Sequence, residues 1–352
     1  MQTTVFLLCG RKMRTMSTNT GKRNIFVDIF RYLLTLLVMG VHFGDGVFLP
    51  LFRLGVPAFF VISGFYNRAD SPEKQQRKNI SFVRNSLLYL VFAMVVYILY
   101  DFVMTLYWGA SVNDFFASLF RERFIYYFFH VNEPVTSGYH LWYLVALFVL
   151  SVVHYIACKL RLDKYYRVVA VVLLVVSLTF GGYLHVFVDY SLETHDLRNT
   201  WFMAFPLFAL GYVLRGERQG ATADKFETIC CLVMGCVFAL LAYAERVIVE
   251  MEFYLSDVLS AAFFIVGLDG LGKLYPQASQ GLAGRIVYEF LGKDATYYMY
   301  VFHLIVGSLA CGITLKRYFL MPITFFGSLA LYLALRYGVK GVNILLHKEK
   351  KL

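Results

Sequence analysis

Three ionisable residues, Asp28, Arg31 and His42, lie within the apolar stretch VDIFRYLLTLLVMGVH. A charge near the bilayer centre costs roughly 2.5–3.5 kcal/mol on insertion scales, so such residues are candidates for function. Arg31 and His42 are 11 residues apart, which on a helix places them within roughly 20° of one face and about 16 Å apart along the axis. Asp28 lies one turn before Arg31. The structural alternative is an Asp28–Arg31 ion pair that pins the helix, with His42 at the membrane interface.

The second apolar segment contains the stretch GVPAFFVISGFYNR, in which Ser63 and two glycines interrupt an otherwise apolar helix. Small residues permit close helix packing, so packing alone could explain them. A basic cluster follows this segment at Lys74, Arg77, Lys78 and Arg84. Such a cluster is typical of a cytoplasmic loop, and it would equally suit an anionic cytosolic ligand.

Two more segments carry polar side chains. His140 and Trp142 begin the fourth segment, in SGYHLWYL, and Tyr300 and His303 are one turn apart within the ninth, in GKDATYYMYVFHLIVG. Each pair has a structural alternative, because aromatic residues anchor helices at membrane interfaces and a lone membrane histidine often serves packing. The six cysteines show no C-x-x-C pairing and no metal-ligand spacing, so we expect neither a metal nor a disulfide framework.

The elements that must position these residues are membrane helices. The chain has 352 residues, of which 59% are hydrophobic and only 16% charged, which excludes an ordinary soluble domain. We predict an all-α polytopic membrane protein of about ten transmembrane helices. The predicted segments are 25–44, 47–66, 86–107, 139–158, 168–188, 198–214, 229–244, 254–272, 296–313 and 318–346.

The basic residues predict the orientation of these helices. If the N-terminus lies in the cytoplasm, 23 of the 33 Lys and Arg residues fall in cytoplasmic segments and seven fall outside. The positive-inside rule therefore predicts that both termini are cytoplasmic. Because the positive charge is spread over separate segments and suits anionic lipid headgroups, we do not expect a nucleic-acid partner.

One membrane domain, 25–346, is expected to fill the chain between cytoplasmic tails 1–24 and 347–352. The largest outside loop, about 108–138, is rich in aromatic residues and is expected to lie partly on the membrane surface. An aromatic belt would explain it, and a lid or stacking surface for a sugar-like acceptor is the alternative. Its aromatic residues are Phe115, Phe116, Phe120, Phe124, Tyr126, Tyr127, Phe128 and Phe129.

Four motifs together resemble the acyltransferase-3 family of integral-membrane O-acyltransferases, over about 25–345. In order they are Asp-x-x-Arg-x10-His (Asp28, Arg31, His42), Phe-Phe-x-x-Ser-Gly (Phe59 to Gly64), Leu-Trp-Tyr-Leu (Leu141 to Leu144) and Tyr-x-x-His (Tyr300, His303). Where the family has an arginine pair after the second span, this chain has only Arg84, in FVRNSLLYLV.

The resemblance implies transfer of an acyl group, typically acetyl, from cytosolic acyl-CoA to a hydroxyl of a cell-envelope saccharide, with acyl-CoA as co-substrate and no tightly bound cofactor. It also implies a multi-pass protein of the bacterial cytoplasmic membrane, with membrane lipid as a further partner.

The resemblance implies His42 as the essential base, and the chemistry agrees, because acyl transfer to a hydroxyl needs a proton acceptor that works near neutral pH. Arg31, deeper in the membrane, is expected to meet a CoA phosphate or the thioester. Asp28, which joins His42 in the expected catalytic set, is expected to hold Arg31 in place. The remaining expected substrate-binding residues are Ser63, Arg84, His140, Trp142, Tyr300 and His303.

Two other functions remain open on the sequence. Polar groups in broken helices also describe a transporter, such as a flippase for a lipid-linked saccharide, although transporters commonly contain repeats and this sequence shows none. An inactive family member that acts as a binding scaffold is the third possibility, and the complete set of Asp28, Arg31 and His42 argues against it.

Overall fold

The protein folds into a bundle of helices. The computed structural model describes residues 24–119, 128–129, 132, 134, 136–188, 194–282, 284, 286–287, 293–313 and 317–349. Within these residues there is no β-strand, so the predicted all-α class is confirmed. Ten long helices make up the bundle: α1 Ile25–Phe43, α2 Gly55–Asn67, α3 Pro72–Tyr107, α4 Trp142–Lys159, α5 Tyr166–Gly181, α6 Phe205–Glu217, α7 Lys225–Ile248, α8 Leu255–Leu274, α9 Lys293–Ile313 and α10 Arg317–Glu349.

Nine spans in the described part of the chain are long and apolar enough to cross a membrane, which confirms a polytopic membrane protein. The sixth predicted segment, 198–214, is the exception to the expected ten. Its helix α6 has 13 residues and follows a π-helical turn at Thr200–Ala204. This is shorter than the roughly 20 residues that span a bilayer.

Helix α3 is longer than its predicted segment 86–107, because apolar character does not mark every helical residue. Helix α3 begins at Pro72, where Ser71 caps it by accepting a hydrogen bond from the Lys74 amide at 3.3 Å. Its first turns are polar and were therefore not predicted to belong to the segment. The second span, Gly46–Asn67, is broken into a 3-10 turn, a short helix at Leu49–Arg53 and α2.

Glycines let α2 and α6 pack with their backbones in contact. A Cβ atom on Gly64 would lie 1.9 Å from the Phe208 carbonyl oxygen, and one on Gly211 would lie 2.0 Å from that of Val61. Small residues drive association of membrane helices in this way, because lipid offers no hydrophobic gain for burying larger ones. The Gly-Ser stretch of the second segment thus serves helix packing.

Helix α1 is enclosed by α2, α8, α9 and α10. Helix α1 runs from one end of the bundle to the other. We name the two ends after the residues of α1 that lie there, the Asn24 end and the His42 end. The Asn24 side chain caps α1 and donates to the Leu268 carbonyl oxygen at 2.7 Å, which ties this end to α8.

The predicted aromatic loop is described in part. It contains a short helix at Val112–Leu119, where Phe115 is buried against Phe102 with ring centroids 5.1 Å apart and Phe116 is exposed. Phe120, Phe124, Tyr126 and Tyr127 lie outside the described residues, as do 1–23 and 350–352 of the predicted tails.

Candidate active site

Four of the residues singled out in the sequence meet at the His42 end. They are His42 at the end of α1, His140 in the turn before α4, and Tyr300 and His303 on α9, and we call them the histidine cluster. The ring centroid of His303 lies 5.3 Å from that of His42 and 4.8 Å from that of His140. The rings of His42 and His140 are 6.5 Å apart. Three separate chain segments thus place three imidazoles within contact distance.

Backbone hydrogen bonds hold this cluster together. The Tyr300 hydroxyl donates to the carbonyl oxygen of His140, and His303 Nδ1 lies 2.6 Å from the carbonyl oxygen of Tyr300. Since a carbonyl can only accept, Nδ1 carries the proton of His303. Helix α3 supports the same region, because the buried Tyr97 hydroxyl donates to the Val301 carbonyl oxygen at 2.9 Å.

The histidine cluster borders a cavity of about 270 Å³. Its wall is mixed, as is usual for small-molecule sites, in which apolar side chains surround a few polar groups. The apolar part consists of Val38, Val41, Leu49, Phe52, Val56, Pro57 and Met203. The polar and aromatic part consists of His42, Arg53, Tyr139, His140, Trp142, Arg198, Glu252 and Tyr300.

Sequence reasoning missed the charged rim of this cavity. Arg198 Nε donates to Glu252 at 2.7 Å, and Arg53 donates to the Met251 carbonyl oxygen and to the Tyr254 hydroxyl at 3.3 Å. In the sequence Arg53 and Arg198 are isolated charges at the outer ends of the predicted segments 47–66 and 198–214. The sequence signal that could have identified them is that they belong to the seven Lys and Arg residues predicted to lie outside, where cations are rare.

Tyr139 was also missed, although it directly precedes His140. Its hydroxyl lies 3.3 Å from His42 Nδ1, so it is the side chain that orients the His42 ring in the described structure. Trp142, an expected substrate-binding residue, lines the cavity, with its ring centroid 6.4 Å from that of Phe60.

Arg31 lies toward the Asn24 end. Its guanidinium is 3.8 Å from the Asp28 carboxylate and 5.8 Å from the ring centroid of Tyr66. The Tyr66 hydroxyl is buried and has no hydrogen-bond partner among the described residues. Asp28 is 14 residues from His42 in the sequence, or about 21 Å along α1. Asp28 therefore acts on Arg31 and does not touch the His42 cavity.

Further cations surround Tyr66. Lys78 Nζ donates to the carbonyl oxygens of Tyr66 at 3.0 Å and Arg68 at 2.9 Å, and Arg215 pairs with Asp269 at 3.1 Å. We call Arg31, Arg68, Lys78 and Arg215 the basic cluster. Cations concentrated at one end of a bundle attract phosphate groups.

Two of the expected substrate-binding residues, Arg84 and Ser63, do not line the cavity. Arg84 is exposed on α3, whereas Ser86, two positions later and on nearly the opposite face, is buried and bonds Ser151 Oγ at 2.8 Å. The Ser63 hydroxyl donates to the Phe59 carbonyl oxygen of its own helix at 2.8 Å.

The arrangement suits proton transfer in a partly enclosed site. Histidine is the side chain best matched to base catalysis near neutral pH. Within the described ranges, no group of three His, Cys, Asp or Glu side chains is arranged to hold a metal ion.

Comparison with protein families matches residues 24–337 to an acyltransferase domain. Comparison with curated proteins finds no match, and neither does comparison with solved structures. The matched range runs from the residue that caps α1 into α10, and it includes both clusters and the cavity. The chain therefore belongs to the acyltransferase-3 family and is a membrane acyltransferase that transfers a group other than an aminoacyl group.

Proposed function

We propose that the protein transfers an acetyl group from cytosolic acyl-CoA to a hydroxyl of a cell-envelope saccharide. One observation carries the proposal: helix α1 bears a histidine on a cavity at one end and an arginine within a basic cluster at the other. The two side chains are about 16 Å apart along the helix axis. An extended pantetheine arm suits this separation, with the CoA phosphates at one end and the thioester near His42.

The distribution of cations supports the direction of transfer. The basic cluster lies toward the Asn24 end. Because 23 of the 33 Lys and Arg residues fall in segments predicted to be cytoplasmic, the proposal assigns this end, and both termini, to the cytoplasm by the positive-inside rule. The His42 end then faces outward, where an exported saccharide arrives. The proposed location is the bacterial cytoplasmic membrane.

On the donor side, Arg31 and Lys78 provide positive charge for the phosphates of acyl-CoA. Asp28 holds the Arg31 guanidinium from 3.8 Å and is thus a positioning residue in this proposal. The buried Tyr66 hydroxyl makes no hydrogen bond of normal geometry among the described residues, although the Asn24 side chain lies near it, so it is available to bind acyl-CoA.

At the acceptor side, His42 is the proposed general base. The proposal places the proton of neutral His42 on Nδ1, which lies 3.3 Å from the Tyr139 hydroxyl oxygen and donates to it, so that Nε2 takes the proton from the acceptor hydroxyl. The hydroxyl oxygen attacks the acyl carbonyl carbon, the carbon–sulfur bond breaks, and the proton passes to the departing thiolate. The products are an O-acyl ester and free CoA.

The cavity rim supports a saccharide as the acceptor. The Arg198–Glu252 pair offers hydrogen-bond donors and acceptors, and Trp142 offers an aromatic surface. Saccharides present both hydroxyls and apolar ring faces, so this combination matches them. A cavity of about 270 Å³ is also slightly below the roughly 300–1,000 Å³ of pockets for drug-sized ligands, which favours a short acyl group over a long chain.

The proposal is tested by acetyl analysis of cell-surface polysaccharide from a deletion strain that expresses either the wild type or His42→Ala. We expect the O-acetyl signal to disappear on deletion and to return only with the wild type. The acetylated polysaccharide would also identify the acceptor.

A second measurement separates this function from transport. Membranes that contain the wild-type protein should release CoA from acetyl-CoA in the presence of the acceptor, and those with His42→Ala should not. An unchanged acetyl profile together with altered polysaccharide export would contradict the proposal and favour a flippase.

A further inference from the structure

Within the histidine cluster, three buried ring nitrogens have no hydrogen-bond partner among the described residues: Nδ1 and Nε2 of His140, and Nε2 of His303. His140 is 2% exposed and His303 is fully buried. The His140 ring borders the cavity beside His42. A buried polar group without a partner costs about 1–3 kcal/mol, so such a group in a native protein calls for an explanation by function.

The two buried histidines differ in what they can offer. His303 has its proton on Nδ1, which donates to the Tyr300 carbonyl oxygen at 2.6 Å, so its Nε2 presents a lone pair. Neutral His140 must carry one N–H, and neither of its nitrogens makes a hydrogen bond of normal geometry within the described structure, although the backbone carbonyls of Tyr300 and Val301 lie near the ring. His140 is therefore the donor of the cluster that has no well-formed hydrogen bond.

The surroundings hold His140 in place before any ligand arrives. The Tyr300 hydroxyl binds its backbone carbonyl, and the Tyr97 and His303 rings pack at centroid distances of 5.1 and 4.8 Å. A second charged imidazole beside His42 would be expensive at this depth in a membrane. A rigid, neutral N–H donor is what a site needs where negative charge develops during the reaction.

We propose that His140 is a catalytic residue that donates its N–H to the oxygen of the acyl carbonyl. This inference rests on the proposed function. When the acceptor oxygen attacks the carbonyl carbon, the carbonyl π electrons move onto this oxygen, which becomes an oxyanion. His42 holds the acceptor's proton at that stage, and His140 stabilises the oxyanion until the carbon–sulfur bond breaks. The base and the oxyanion donor are thus separate histidines from separate chain segments, His42 on α1 and His140 in the turn before α4.

The test compares His140→Phe with His140→Gln in membranes that hold the endogenous acceptor, with acetyl-labelled acetyl-CoA as the probe. Removing one oxyanion donor typically lowers kcat by 10²–10³-fold. We expect His140→Phe to show a loss of about that size with KM for acetyl-CoA nearly unchanged. We expect His140→Gln, whose amide keeps an N–H, to recover about tenfold or more of the lost kcat.

His154→Phe is the matched control. His154 is equally buried, but its ring nitrogens are bonded within the protein, Nδ1 to the Tyr166 hydroxyl at 2.9 Å and Nε2 to Asn67 Oδ1 at 3.2 Å. It reports what the loss of a buried histidine does to folding, and rates are compared per folded molecule, counted by size-exclusion chromatography.

Three outcomes overturn the role of His140. They are full activity in His140→Phe, equal losses in folded His140→Phe and His140→Gln, and a change in KM without a change in kcat. If any of these occurs while His42→Ala remains inactive, the proposed function stands without this role. If the wild type itself transfers no label, the proposed function is overturned as well.

Discussion

The two ends of helix α1 differ in the kind of polar side chain that surrounds them. At the Asn24 end, the cations Arg31, Lys78 and Arg215 have partners in carboxylates or backbone carbonyls. At the His42 end, the central side chains are imidazoles, and three of their nitrogens are buried and unpartnered among the described residues. One end is built from permanent charge, and the other from neutral groups that can exchange a proton.

This difference indicates a division of labour. Permanent cations bind anions but cannot take a proton near neutral pH, because arginine and lysine are already protonated there. Histidines can take a proton but bind phosphate weakly when neutral. A reaction that uses a polyanionic donor and a hydroxyl acceptor needs both kinds of group. Helix α1 carries one of each at a fixed separation.

The largest effect is expected at the base. His42→Ala should lower the rate of acetyl transfer by about 10²–10⁴-fold, the usual contribution of general acid–base catalysis. Binding of acetyl-CoA should persist, because the basic cluster is intact. Transfer and binding are measured with labelled acetyl-CoA in the same membranes. Retained transfer in His42→Ala would contradict the division between the two ends.

Arg31→Lys should have the next largest effect and should act on the donor. Lysine keeps the charge but loses the planar fork that binds phosphate or carboxylate in a bidentate way. A hydrogen bond to a charged group contributes about 1.5–3 kcal/mol, so KM for acetyl-CoA should rise by about 10–100-fold. Steady-state kinetics against acetyl-CoA measures this. If Arg31→Lys has the same KM for acetyl-CoA as the wild type, then Arg31 contributes only its positive charge.

A smaller effect is expected at the rim of the cavity. Glu252→Gln breaks the pair with Arg198, in which the two side chains are 13% and 33% exposed. At about 1 kcal/mol for a partly exposed pair, the apparent KM for added, chemically de-O-acetylated polysaccharide should rise about fivefold, and KM for acetyl-CoA should not change. Glu250→Gln is the control. Glu250 is 66% exposed and its carboxylate is 3.7 Å from the Arg53 guanidinium, so this ion pair is long and contributes little. Equal effects of the two variants would argue against acceptor binding at the rim.

The smallest effect is expected for Arg84→Gln. The resemblance marks this residue for donor binding, yet its side chain is exposed on the face of α3 opposite the buried Ser86. We expect KM for acetyl-CoA to change by less than about twofold, far less than in Arg31→Lys. The measurement is KM for acetyl-CoA, determined for Arg84→Gln and Arg31→Lys under the same conditions. A change as large as that of Arg31→Lys would place the donor along α3 rather than at the basic cluster.

Local pattern was sufficient for the helices and for residues that share one helix. The run of apolar residues predicted α1, and its 3.6-residue period placed Asp28, Arg31 and His42 on one side of it, as the 3.8 Å approach of Arg31 to Asp28 illustrates. Apolar patterning failed where a helix is polar, as in the first turns of α3, and where a helix is short, as in α6. Hydropathy measures solvent preference and does not measure backbone conformation.

The same pattern could not predict which distant segments contact each other. No spacing along the chain relates His140 to His303, whose rings are 4.8 Å apart, or Arg198 to Glu252, whose side chains meet at 2.7 Å. Such contacts depend on how α4 and α9 pack and on where the connecting loops return.

The sequence by itself determined that the protein is a helical membrane protein, that one helix carries the ionisable set Asp28, Arg31 and His42, and through its motifs that the family is acyltransferase-3. Only the tertiary structure decided which other residues join His42. The physical reason is that helix period and hydropathy are local properties, whereas a catalytic site is formed by side chains that packing brings together from distant segments. The cavity, its charged rim and the unused N–H of His140 follow from that packing.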